Sequence, residues 1–135
     1  MNPFRGKERA LPRDRGRFAR ERAQWPYLPN GDKYLYFIAL LDAVKIGVTH
    51  SPAIRREDIR RATWREPEIL AALPGPARLV ETAIHKELAA AALCREWFAI
   101  SHPAIVRAVE LAQSCSDSVQ LLRLLQAERF ALSAA

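Results

Sequence analysis

Two short apolar runs, Tyr34–Ile38 and Lys45–Thr49, constrain the fold of this chain more than any other feature. Both runs are rich in β-branched and aromatic residues and lie close together, which is typical of the two arms of a β-hairpin. Side chains alternate between the two faces of a strand. A loop of even length therefore predicts an apolar face with Leu35, Phe37, Ile46 and Val48, and a second face with Tyr34, Tyr36, Lys45 and Gly47.

The second face of this hairpin carries chemically reactive groups. If Ala39–Asp42 form a four-residue loop, Tyr36 lies directly opposite Lys45. A neighbouring ammonium group favours the phenolate and lowers the pKa of a tyrosine. The hairpin therefore predicts a tyrosine with altered proton affinity.

Further motifs follow the hairpin in a fixed order. Arg55 lies in a predicted helix, Glu81 and His85 lie one turn apart in a second helix, and Arg95-Glu96-Trp97-Phe98 come after it. Together with Tyr36-Phe37-Ile38 and Lys45-Ile46-Gly47, this set resembles the GIY-YIG nuclease superfamily over residues 34–100. The similar branch has YFI and KIG in place of the two name-giving triplets, as in the T5orf172-type and MUG113-type domains. Arg95 stands where this superfamily usually has glycine.

The resemblance implies a metal-dependent DNA endonuclease with one residue for each chemical task. Tyr36 would be the general base for a water molecule, with its pKa lowered by Lys45, although Lys45 itself is the alternative base. Arg55 would bind the developing negative charge on the phosphate. Glu81 would hold one Mg²⁺ or Mn²⁺ ion, which stabilises the leaving 3′ oxygen. His85, or His50, would relay a proton.

Each of these assignments has a structural alternative. Glu81 interrupts an apolar stripe of its helix, where a carboxylate is costly unless it is paired, so an ion pair with Arg55 or Arg78 is the alternative to a metal. For His85, the alternative is a neutral ring that is hydrogen-bonded to the backbone. The alternative function is a GIY-YIG-like module that binds nucleic acid without cleaving it.

Basic residues predict a polyanionic partner. The net charge is +6, and eight basic against three acidic residues precede Ala23. This segment is interpreted as a flexible arm that binds phosphates through residues such as Arg13, Arg15 and Arg17, although Arg15–Gln24 could form a helix. A second basic group on the first predicted helix, Arg56, Arg60 and Arg61, is either phosphate-binding or solvated. DNA is the expected partner, with RNA as an alternative.

The linker before the hairpin contains two aromatic residues, Trp25 and Tyr27. They either cover an edge of the sheet or stack on bases. No apolar run is long enough for a membrane span. Cys94 and Cys115 fit free thiols in a cytoplasmic protein, with a disulfide between them as the alternative.

The expected architecture is α+β: a three-stranded antiparallel sheet flanked by helices. A basic arm occupies residues 1–24, the nuclease-like domain residues 25–101, and a helical extension residues 102–135. Helices are predicted from Ser51-Pro52 to Trp64 and over Pro76–Leu93, Pro103–Ser114 and Ser118–Phe130, and the third strand over Glu68–Leu73. The last two helices are expected to pack on the domain, with a homodimer interface as the alternative.

Overall fold

The computed structural model describes residues 14–29 and 31–134. Its strands are β1 (Lys33–Leu40), β2 (Ala43–Thr49), β3 (Glu68–Gly75), β4 (Ala92–Cys94) and β5 (Trp97–Ala99). They form one antiparallel sheet in the order β3-β1-β2-β5-β4. The α+β class is as predicted, but the described residues form five strands where three were expected. The difference arises because residues 92–99 fold into a second, short hairpin whose strands of three residues give little periodicity.

Five helices lie in the described part of the chain: α1 (Arg15–Gln24), α2 (Pro52–Thr63), α3 (Ala77–Glu87), α4 (Pro103–Ser114) and α5 (Ser118–Ala134). The predicted start of α2 is confirmed, because the Ser51 side chain accepts a hydrogen bond from the backbone of Ile54 at 3.3 Å. The prediction that the helix α3 runs to Leu93 is wrong. It ends at Glu87, and a 3₁₀ turn, Ala89–Ala91, leads into β4. No helix of the described residues is long and apolar enough to cross a membrane.

The β1–β2 hairpin has the predicted faces but a different register. Its loop is Leu41–Asp42, two residues instead of four, so Tyr36 pairs with Gly47 and Ile38 pairs with Lys45. The expected pairing of Tyr36 with Lys45 is therefore wrong. Both loop lengths are even, which is why the alternation of faces survives the change in register.

Both faces of the sheet are covered. On one face, Leu35, Phe37 and Ile46 are fully buried against residues of α3, α4 and α5. On the other face, Tyr34, Tyr36 and Ile38 pack with Ile59 of α2. The prediction that the C-terminal helices pack on the domain is confirmed, since their apolar residues join the first core: Ile105, Ala108, Leu111, Leu121 and Leu125. A homodimer remains a prediction.

The second half of the predicted arm, Arg15–Gln24, is the helix α1. Asp14 caps α1 through a 2.9 Å hydrogen bond from the backbone of Arg17, and buried Glu21 contacts Arg56 of α2 at 2.6 Å. The prediction of a flexible arm is therefore wrong for Arg15–Gln24, where the helical alternative is correct. Residues 1–13, including Arg13, lie outside the described residues.

Candidate active site

The site lies along the part of β2 that pairs with only one other strand. Strand β5 pairs only with Ala43–Lys45, and the backbone N–H of Ile46 donates to the carbonyl of Glu96 at 2.9 Å. Beyond this point Gly47–Thr49 pair, within the described residues, with β1 alone. Side chains from the sheet, α2, α3 and the turn between β4 and β5 can therefore converge at this edge.

Tyr36 lies directly over Gly47. A Cβ atom at position 47 would stand 2.6 Å from the Tyr36 hydroxyl oxygen and 2.8 Å from Cζ, far inside van der Waals contact. The Tyr36 side chain is 1% exposed, so it has little room to move away. The glycine of the Lys45-Ile46-Gly47 motif is thus needed for the ring of the first motif to pack on the opposite strand.

Burial raises the pKa of the Tyr36 phenol well above its usual value, which is opposite to the predicted direction. Glu96 and Glu81 raise the pKa further, while the charge of Arg55 opposes the change. Lys45 is not among the charges that shift this pKa, and its ammonium lies 3.8 Å from Glu96 and 5.8 Å from the centre of the Trp97 ring. In this state the phenol is therefore protonated at neutral pH.

Glu81 is a half-buried carboxylate with an unused oxygen. Its Oε2 atom is buried and has no hydrogen-bond partner. Burial and, to a smaller extent, the charge of Glu96 raise its pKa, while His85 and Arg78 lower it. Among the described residues no ion pair joins Glu81 to Arg55 or Arg78, so the structural alternative for Glu81 finds no support. An unpartnered carboxylate oxygen close to a second carboxylate fits a divalent cation.

The residues available to hold such a cation are few. Within the described part of the chain, no cluster of three or more His, Cys, Asp or Glu side chains has a geometry for metal binding. Glu81 would be the principal ligand, and Glu96 would contribute charge from nearby. Mg²⁺ commonly binds to one or two carboxylates and takes its remaining ligands from water and phosphate oxygens.

His85 makes the backbone contact that was considered as its alternative role. Its Nε2 donates to the carbonyl of Ile46 at 2.9 Å, and the centres of its ring and the Phe98 ring lie 5.2 Å apart with 70° between the planes. These contacts attach α3 to the strand β2 one turn after Glu81. His85 therefore helps to position the Glu81 carboxylate, and its role as a proton relay stays a prediction.

Arg55 projects from the first turns of α2 towards this edge. Its side chain is half-buried, and its Nε–H group is buried without a hydrogen-bond partner. It also lines a cavity of about 320 Å³ next to the site, together with His50 and Arg78. Arg55 is thus a cation with an unused donor, which fits a phosphate contact.

The other arginines of α2 differ from this pattern. Arg56 is 1% exposed and is surrounded by Glu21, Glu57 and Glu66 at 2.6, 3.0 and 3.6 Å. It is a core residue, so the prediction that it contacts phosphate is corrected. Arg60 is nearly buried and binds Glu57 at 3.2 Å. Arg61 is exposed and pairs with Asp58, so it alone of the three is open to DNA.

The predicted contacts of the arm also separate into two groups. Arg15 is exposed on α1. Arg17 instead holds α1 against the domain, with its Nη2 donating to the carbonyl of Pro67 at 3.0 Å and its Nε 3.6 Å from Glu21. Arg15 remains available for DNA, whereas Arg17 is largely engaged by the protein.

Sequence reasoning assigned no role to Glu96, which the structure places beside both Lys45 and Glu81. The motif Arg95-Glu96-Trp97-Phe98 was the available signal. Arg95 itself adopts φ 52°, the left-handed conformation that glycine favours. The turn is therefore kept without glycine, and it adds an exposed cation next to Lys45 and Trp97.

A comparison with protein-family models finds the T5orf172 domain over residues 33–113, more than half of the chain. The chain belongs to the T5orf172 domain family. This family is GIY-YIG-like and associated with endonucleases, so the resemblance is confirmed at that level, and it indicates a nuclease-like or DNA-binding role. The T5orf172 match extends from β1 into α4, past the predicted domain boundary at residue 101. Comparisons with curated proteins and with solved structures gave no match.

Proposed function

We propose that this T5orf172 domain is a metal-dependent DNA endonuclease of the YFI/KIG branch, with Tyr36, Arg55 and Glu81 at its centre. One observation carries the proposal. The charges of Glu81 and Arg55 both shift the pKa of Tyr36, and each of the two residues has a buried polar atom without a hydrogen-bond partner. Buried polar groups are normally hydrogen-bonded. An unused acceptor and an unused donor around one phenol are the arrangement that a cation and a phosphate would complete.

Arg55 is proposed to bind the phosphate at the bond that is cleaved. Its guanidinium offers several donors in a planar array and remains charged at all accessible pH values. In a partly buried site, such donors stabilise the extra negative charge of a pentacoordinate phosphate more strongly than water does. Arg78, on the rim of the same cavity, would hold a neighbouring phosphate.

Tyr36 is proposed to accept the proton of the attacking water. Its raised pKa makes the phenolate rare but strongly basic, and positive charge nearby increases its population. Arg55 already acts in this direction. Lys45, the alternative base, is engaged with Glu96 and would first have to lose that contact. A divalent ion on Glu81 would supply charge stabilisation for the leaving 3′ oxygen.

The alternative function is a binding module that does not cleave. The specific observation in its favour is the raised pKa of Tyr36, which makes the phenol a poor base unless positive charge is added. Such a module would bind DNA through Arg55 and Arg78 and would not depend on Glu81. The two functions are therefore separated by the effect of Glu81 on cleavage.

Supercoiled plasmid incubated with the protein and Mg²⁺ or Mn²⁺ tests the proposal. The wild-type protein should produce nicked and linear DNA, and Glu81→Gln should lose this activity while still binding DNA. Glu68→Gln, at an exposed carboxylate of β3, is the matched control and should cut normally. Binding without metal-dependent cleavage by the wild-type protein would instead support the non-catalytic module.

A further inference from the structure

The cavity beside Arg55 has features that the proposed reaction does not require. It holds about 320 Å³, which lies at the lower end of the range for ligand pockets in proteins. The lining residues that matter are Tyr27, Lys33, His50, Arg55, Asp58 and Arg78. A space of this size suits one nucleotide and is far too small for a base-paired duplex.

Tyr27 is an exposed aromatic residue that the protein holds in place. Its side chain is 56% exposed, although the residues on either side of it are fixed to the sheet. The Tyr34 hydroxyl donates to the carbonyl of Pro26 at 2.8 Å. Leu28 exchanges two hydrogen bonds with His50: its N–H donates to the His50 carbonyl at 3.1 Å, and its own carbonyl accepts from His50 Nδ1 at 2.6 Å.

The ring of Tyr27 is supported from below as well. It lies 5.3 Å from the His50 ring with an angle of 32° between the planes. Trp25 differs, because it is partly buried against the second core and so covers the sheet, the first of the two roles considered for it. Tyr27 instead presents an aromatic surface to solvent at small entropic cost, which is the property of a stacking platform.

The charge of the cavity is positive. Lys33, Arg55 and Arg78 line it, and within the described residues none of the three forms an ion pair. The one acidic lining residue, Asp58, is paired with Arg61 at 2.8 Å. Cations around an aromatic platform are how proteins hold the backbone and the base of a single strand. In a duplex, both faces of an internal base are covered by its neighbours, so stacking on Tyr27 requires an unpaired base.

We propose that this cavity binds one unpaired nucleotide next to the cleaved phosphate, with its base on Tyr27 and its phosphates between Lys33 and Arg78. The preferred substrate would then be single-stranded DNA or a duplex with an unpaired stretch. The relation to cleavage depends on the proposed endonuclease function, whereas the binding of an unpaired base does not.

A short oligonucleotide that contains 2-aminopurine tests the binding in buffer without divalent metal. Addition of the protein should quench the fluorescence of the single strand, because the base stacks on Tyr27. Addition of the protein to the same strand in a blunt duplex should cause no further quenching. Tyr27→Leu should weaken single-strand binding about 5- to 150-fold and remove the quenching, while Tyr27→Phe should retain both. Trp64→Leu, at an exposed aromatic residue outside the cavity, is the matched control and should bind like the wild type.

The charges of the cavity are tested by the salt dependence of the same binding. Arg78→Gln should reduce the slope of log K against log salt by about 0.7 on the single strand, whereas Arg65→Gln, at an exposed arginine elsewhere, should not. Equal binding by Tyr27→Leu and Trp64→Leu, or equal quenching in duplex and single strand, would overturn the inference. Quenching without any cleavage would refute only the proposed endonuclease activity. Cleavage that depends on Glu81 but is unchanged by Tyr27→Leu would refute only the proposed nucleotide site.

Discussion

Replacing Gly47 by alanine tests the contact on which the site is built. The new Cβ would stand 2.6 Å from the Tyr36 hydroxyl oxygen and 2.8 and 3.1 Å from two ring carbons, where carbon atoms prefer about 3.5–4.0 Å. The ring must therefore shift by about an ångström in a place where it is 1% exposed. Overpacking of this kind costs about 1–3 kcal/mol. Elsewhere in a strand, glycine to alanine gains about 0.5–1 kcal/mol, so the sign of the effect is decisive.

Urea unfolding followed by far-UV circular dichroism measures this effect as a change in the free energy of unfolding. In a protein that already carries Tyr36→Leu, the three clashing side-chain atoms are absent. Gly47→Ala should therefore be neutral or stabilising in that protein. The resulting coupling should be at least about 1 kcal/mol. Gly16→Ala in α1 is the control, because its nearest neighbour is the flexible end of Arg20, and it should be neutral or stabilising. A Gly47→Ala protein as stable as the wild type, without coupling to Tyr36, would refute this packing.

Three further predictions follow from the charges. Glu81→Gln should raise the melting temperature in metal-free buffer and abolish any increase caused by Mn²⁺. The folded pKa of Glu81 is above its unfolded value, so its ionisation lowers the stability of the wild type, and this stability returns as the pH falls through the folded pKa. If Mn²⁺ still raises the melting temperature of the variant, Glu81 is not the metal ligand. Arg56→Ala should lose about 3–5 kcal/mol in urea unfolding, because it removes the buried cation that Glu21 and Glu57 share, whereas Arg61→Ala should lose less than about 1 kcal/mol. Similar losses would contradict the assigned burial. Arg95→Gly should leave the melting temperature nearly unchanged and reduce the salt slope of duplex binding by about 0.9, and an unchanged slope would exclude a phosphate contact.

Local sequence patterns predicted the hairpin and most of the helix limits. Alternation with a period of two placed Tyr36 and Gly47 on one face whatever the loop length, as long as it was even. Register was not predictable, because it depends on whether Leu41 accepts a left-handed conformation, and its φ is 56°. Leucine rarely adopts this conformation, so a longer loop was the simpler expectation.

Long-range contacts account for two other predictions that were wrong, the role of Arg56 and the direction of the Tyr36 pKa shift. Arg56 looks like Arg60 and Arg61 in the sequence, and its principal partner, Glu21, lies 35 residues away on a helix that was interpreted as a flexible arm. The direction of the Tyr36 pKa shift was also predicted wrongly because it depends on the tertiary structure. Sequence shows which charges are near along a strand, but the degree of burial, which dominates here, depends on the assembled fold.

The neighbours Arg55 and Arg56 show how the fold separates support from chemistry on one helix. Three carboxylates, from α1, α2 and the loop before β3, surround the guanidinium of Arg56, so it joins α2 to α1 and to that loop. Truncation of one partner in such a buried network is costly, which makes the position of α2 well determined. Arg55, one residue earlier, consequently keeps its place beside Tyr36 without any contact of its own Nε–H. The ordered helix α1 thus contributes to the site from a distance, through Glu21, although none of its residues lines the cavity beside Arg55.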